Sequence, residues 1–109
     1  MTGFRQRLVC LAALALAWAG ASRAGAETIR VDITKLVFAP AEVAAHVGDT
    51  IEWVNADFLV HTATAKTKEW EVMLPVGKSG RLELKKAGTL DYYCRLHPNM
   101  TGRITVTEQ

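Results

Sequence analysis

Three side chains that bind soft or borderline metals stand within seven residues near the C-terminus, in the run Tyr92-Tyr93-Cys94-Arg95-Leu96-His97-Pro98-Asn99-Met100. A thiolate, an imidazole and a thioether at C-x2-H-x2-M do not suit calcium or magnesium, which take oxygen ligands, and do suit copper. A copper centre for electron transfer adds a second imidazole to that set and leaves the thioether as a weak axial ligand. His61, in Phe58-Leu59-Val60-His61-Thr62, is the candidate for that imidazole, far upstream of the other three. Such a split is expected if one ligand sits on a strand of a β-sandwich and the others on a loop between its last two strands. In this reading Cys94 is the strong donor, His61 and His97 complete a trigonal plane, and Met100 tunes the potential from the axial position. A structural zinc site is disfavoured because a methionine is a poor zinc ligand.

The first 26 residues have the form of an export leader. Arg5 and Arg7 give a positive start, Leu8 to Ala21 is apolar, and Ala24-Gly25-Ala26 is a small-residue cleavage site. A membrane anchor is the rival reading, but the apolar run is short for a span of about 20 residues and is broken by Gly20, Ser22 and Arg23. Residues 27–109 are then a single mature domain in the periplasm. The leader takes three arginines and no acid from a chain of 13 Lys+Arg and 11 Asp+Glu, which leaves the remainder near neutral. That balance, with no basic stripe interleaved with aromatics, excludes a nucleic-acid partner. Cys10 goes with the leader, so Cys94 is an orphan thiol in an oxidising space, where metal ligation would protect it.

The elements that must position these ligands read as short strands. Thr28 to Thr34 alternates, with Ile29, Val31 and Ile33 on one face. Leu36, Val37 and Phe38 run into a bend at Ala39-Pro40, and Glu42 to Val47 alternates again with His46 outward. Gly48-Asp49 is a turn signal, and Thr50 to Asn55 places Ile51 and Trp53 inward. Asn55-Ala56-Asp57 begins a loop that delivers Phe58, Leu59 and His61. The stretch 62–68 is ambiguous, and Trp70 to Leu74 is either a short strand or one helical turn. Gly77 to Gly80 reads as a loop, Arg81 to Leu84 as a strand, and Gly102 to Thr107 as the closing strand. No helical period is visible, so the fold class is all-β, a Greek-key sandwich of about seven to eight strands.

The run Val47-Gly48-Asp49-Thr50-Ile51-Glu52-Trp53-Val54-Asn55, the following His61, and Tyr92-x-Cys94-x-x-His97-Pro98-x-Met100-x-Gly102 together resemble the cupredoxins. The two-residue spacings on either side of His97, and Pro98 directly after it, are similar to the amicyanin branch rather than to plastocyanin or pseudoazurin. The resemblance implies one mononuclear type 1 copper and a mobile electron carrier; a monomer is the default expectation, and no membrane attachment is expected after the leader is removed. It implies that electrons pass through the edge of His97, within an apolar patch for which Pro98, Leu96, Phe58, Leu59, Met73 and Pro75 are candidates. Thr62, where many relatives have Asn, and Asn55 are expected to support the ligands. The amicyanin likeness implies a c-type cytochrome and a periplasmic dehydrogenase as redox partners.

Enzymatic activity is not expected. A copper oxidase or nitrite reductase needs a second site built from several further histidines, and outside the proposed ligands only His46 remains. The alternative is a copper carrier or copper-resistance protein that delivers the metal, although such proteins more often expose Met- or His-rich loops.

Overall fold

The computed structural model describes residues 25–108, so the leader expected over 1–26 lies almost wholly outside the described residues. Among the described residues nine strands form two sheets: β1 (Thr28–Thr34), β2 (Val37–Ala39), β3 (Glu42–His46), β4 (Thr50–Asn55), β5 (His61–Ala65), β6 (Glu71–Leu74), β7 (Ser79–Glu83), β8 (Gly88–Cys94) and β9 (His97–Thr107). One sheet runs β2-β1-β4-β7 and the other β3-β9-β8-β5-β6. Because β1 pairs in parallel with β4, and β3 with β9, the chain must cross between sheets rather than meander, as the Greek-key sandwich requires. Among the described residues no helix is long and apolar enough to cross a membrane.

Alternation drives the layers together. Val31 and Ile33 of β1, Ile51 and Trp53 of β4, and Ile104 of β9 are all fully buried, while their sequence neighbours face outward. Trp53 anchors this core: its indole Nε1 donates to the Tyr92 hydroxyl at 3.2 Å, and its ring meets that of Tyr92 edge-on at 5.5 Å. Burial raises the Tyr92 hydroxyl to about 12. Gly102 lies directly on this tyrosine, since a Cβ there would stand 2.5 Å from the hydroxyl oxygen. That contact is the physical reason for the glycine two residues after Met100.

Three expectations change. The first part of the ambiguous stretch after His61 belongs to β5, which ends at Ala65 and is buried throughout, its threonine hydroxyls bonding one another, Glu71 and the Arg95 N–H instead of water. Trp70 to Leu74 resolves as a strand over Glu71–Leu74. Ser79 and Gly80 belong to β7 rather than to a loop, since Gly80 fits under Val72 and Leu74, where a side chain would not. The short β2 hairpin brings the count to nine; it turns through Lys35 and Leu36, both at positive φ.

Candidate metal centre

Cys94 ends β8, His97 begins β9, and the two are cross-strand partners. With only Arg95 and Leu96 between them, their side chains emerge on one face, and Nδ1 of His97 lies 3.6 Å from Cys94 Sγ. The register then shifts: Tyr93 pairs with Thr101 although Cys94 pairs with His97, so Pro98, Asn99 and Met100 have no residue opposite. A bulge of this kind re-aims side chains. Met100 is turned into the core at 3% exposure while Pro98 and Asn99 face solvent. The expected ligand loop is therefore a bulged hairpin, in which the C-x2-H spacing makes the turn and the H-x2-M spacing makes the bulge.

His61 is the first residue of β5, fully buried, with Nδ1 3.6 Å from the same sulfur. The His61 and His97 rings meet at 4.8 Å between centroids and 61° between planes. The donor atoms of His61, Cys94 and His97 all lie within 4.8 Å of one another, as no other group of His, Cys, Asp or Glu side chains does among the described residues. Of the four candidates, only His97 is partly exposed.

One residue that sequence reasoning left as a turn acts directly on this site. Asp57 Oδ2 lies 3.0 Å from His61 Nε2 and also accepts the Leu36 N–H at 3.0 Å, while Oδ1 accepts the N–H of Phe58. The bond to His61, helped by the Leu36 amide, holds the Asp57 carboxyl below the usual carboxylate range. An ionised carboxylate can only accept, so the His61 proton sits on Nε2 and the lone pair of Nδ1 faces Cys94. A carboxylate four residues before a histidine in a loop has no periodicity to announce it.

Thr62 ties both ligand segments together. Its backbone N–H points at Cys94 Sγ over 3.4 Å, and its hydroxyl accepts the Arg95 N–H at 2.8 Å. The Thr62 hydroxyl meets that of Thr64 at 2.8 Å, and Thr64 donates to Glu71 Oε1 at 2.7 Å. Glu71 in turn takes a two-pronged bond from the Arg95 guanidinium, at 2.9 and 3.1 Å. Arg95 first, then Thr64, lowers the Glu71 carboxyl from 4.5 to about 2. With Glu71 ionised the direction of every hydrogen is fixed: Thr64 donates to Glu71, Thr62 donates to Thr64, and Thr62 is left to accept from Arg95. The short reach of a threonine at this position is thus sufficient, because the turn comes to it.

Asn55 touches none of the donor atoms. Buried at 1% exposure, it donates through Nδ2 to the carbonyls of Leu59 and Leu74 at 2.9 and 2.8 Å and accepts the Asp57 N–H at 2.9 Å. It thereby holds the loop that carries Asp57 against the end of β6. Phe58, Leu59, Met73, Pro75, Leu96 and Pro98 are all exposed, Phe58 at 92%. Leu36, Val60 and Val76, which sequence reasoning did not single out for the surface, are exposed as well.

Two imidazole nitrogens and a cysteine sulfur converge, one nitrogen with its lone pair directed inward, so the residues fit a borderline-to-soft metal ion of the copper type.

Comparison with known proteins agrees with that chemistry. A family model described as a cupredoxin-like domain matches residues 7–106. The chain is 32% identical to the amicyanin of Paracoccus denitrificans, over 89% of this chain and 92% of the relative. It is 31% identical to amicyanin-alpha of Methylorubrum extorquens, over 94% and 95%. The crystal structure of amicyanin from Paracoccus versutus superimposes with a TM-score of 0.64 at 30% identity, over 81% of this chain and 87% of that one.

Proposed function

Because the chain belongs to the cupredoxin-like family, we propose that it is a periplasmic carrier of single electrons whose ligands are His61, Cys94, His97 and Met100. It is a blue copper electron-transfer protein, not an enzyme, and its cofactor is one type 1 copper. The observation that carries the reading is the convergence of His61, Cys94 and His97 within 4.8 Å in a wall of buried side chains. Copper held by such a set shuttles one electron between Cu(I) and Cu(II).

The protein's own residues do the rest. Asp57 holds the His61 ring in one tautomer, Thr62 restrains the Cys94 sulfur from the side, and the bulge keeps Met100 in the core. His61, Cys94 and Met100 are shut off from solvent, so His97 is the edge at which a partner approaches. Leu96, Pro98 and Leu36 lie about that edge. Redox partners, with a c-type cytochrome and a periplasmic dehydrogenase as candidates, would meet a small apolar surface suited to brief contact. Copper delivery is the weaker reading, since a receiving protein could not reach a fully buried Cys94 and His61 without opening the fold. Residues 1–26 serve as the export leader, cleaved after Ala26.

The test is the visible spectrum of the chain from Glu27 given one equivalent of Cu(II), beside a Cys94→Ser control. An intense thiolate-to-copper band, lost on reduction and absent from the control, is expected. A pale spectrum indifferent to Cys94, or binding of Cu(I) alone, would refute the assignment.

A further inference from the structure

Asp49 is a carboxylate at 1% exposure in the tight turn between β3 and β4, away from the metal centre. Its Oδ2 accepts the His46 N–H at 2.9 Å, with His46 Nδ1 at 3.9 Å, and its Oδ1 accepts the backbone N–H of Glu27 at 2.9 Å. Glu27 is also held on its other side, where its carbonyl accepts the Thr50 N–H at 2.9 Å. The next residue, Thr28, opens β1 in register with Thr50. Residues 25–27 are exposed and lie outside both sheets. The bond that an export peptidase would cut, Ala26–Glu27, is therefore accessible, while the nitrogen it would release already sits on a buried carboxylate.

We propose that Asp49 is the receptor for the α-ammonium group created at Glu27 when the leader is removed, so that processing gives this buried carboxylate a charged partner at the head of β1. The chemistry is hydrolysis by a leader-cleaving peptidase. One water is consumed, its oxygen goes to the Ala26 carboxylate that departs with the leader, and the Glu27 nitrogen takes up protons to become an ammonium. In the precursor that nitrogen has a single hydrogen and no charge. After cleavage it has three and a full positive charge at neutral pH, because an α-amine titrates near 8. Charge-assisted hydrogen bonds are shorter and roughly twice as strong as neutral ones, and an opposite charge offsets part of the desolvation cost of a carboxylate already taken out of water. The consequence is a domain that gains stability on maturation. The inference rests on cleavage after Ala26, as proposed above, and is independent of the copper ligands.

The full chain is first exported with its own leader and the first residue of the product is read from its intact mass; Glu27 is expected, and any other start overturns the proposal. Both sheets lie within residues 28–107, so the chain from Glu27 holds the whole fold. Three copper-free forms are then unfolded in urea: a free Glu27 amine, the same chain N-acetylated, and a chain retaining Ala26. The folding constant is expected to fall about tenfold on acetylation or on retention of Ala26, and in an Asp49→Asn background the three forms are expected to be alike. Equal stability of the three Asp49 forms, or an equal fall in both backgrounds, overturns it. Should the Asp49→Asn chains not fold, the Asp49 forms decide alone. Because no copper is present, failure here is distinct from failure of the electron-carrier reading.

Discussion

His61 is held at both ring nitrogens: Nε2 on Asp57 and Nδ1 toward Cys94. Carboxylates that orient a ligating histidine are usually worth 10–100-fold in metal affinity. Asp57→Ala is expected to weaken copper binding by about that factor in competition with a chelator, with a smaller loss of fold stability from the freed Leu36 and Phe58 amides. An unchanged affinity would show that Asn55 and the β5 backbone suffice to orient the ring. At this scale the sequence picks out the candidate donors, three of which the fold brings together, and says little of their supports. Cys94, His97 and Met100 stand at spacings that chemistry alone can read, and His61 follows from the missing imidazole. Asp57 and Glu71 bond to residues distant in sequence or hidden in a loop, and no pattern in the sequence marks such a bond.

Among the elements, the β8–β9 hairpin and β5 make the site, joined by the chain of bonds from Arg95 through Thr62 and Thr64 to Glu71. The Glu71 carboxyl is depressed in the folded protein, from 4.5 to about 2, chiefly by Arg95. Its pairing therefore stabilises the fold fully above the unfolded value and is lost as pH falls from 4.5 toward 2. Urea unfolding of the copper-free protein is expected to show stability dropping across that interval, with a shallower drop in Glu71→Gln. Asp57 and Asp91, which His61 and Arg103 hold low, contribute to the part that remains. An identical acid profile in the variant would contradict the assignment. The same hairpin carries Gly102 against Tyr92. Gly102→Ala forces a methyl into a rigid ring in the core and is expected to destabilise by about 2 kcal/mol, measured by thermal or urea unfolding; no loss would mean that Tyr92 can move. Strands with clean alternation, such as β1 and β4, could be read directly. β5 could not, because its threonines look solvent-facing until Glu71 and the Arg95 turn cover them. The bulge was invisible for a related reason: it depends on the register between two strands, which neither strand encodes by itself.

Seen whole, the molecule is a stiff two-sheet scaffold with its donors sealed at one end and a single imidazole edge left in reach. Phe58 and Leu59 come from the loop that Asn55 ties down, Leu36 is bonded to Asp57, and Leu96 sits in the turn between Cys94 and His97 that Thr62 holds through Arg95. Such a design favours passage of an electron over passage of the metal, since the former needs only the edge of His97 and the latter needs three buried ligands to let go. The decisive measurement mixes the Cu(I) protein with an oxidised c-type cytochrome under anaerobic conditions and follows haem reduction together with growth of the thiolate-to-copper band. Metal content is then determined on the separated proteins. One electron passed per chain, with the copper still on this protein, is the expected result. Silence in both optical signals, with the copper gone from this protein in the metal analysis, would contradict the electron-carrier reading and favour delivery in its place.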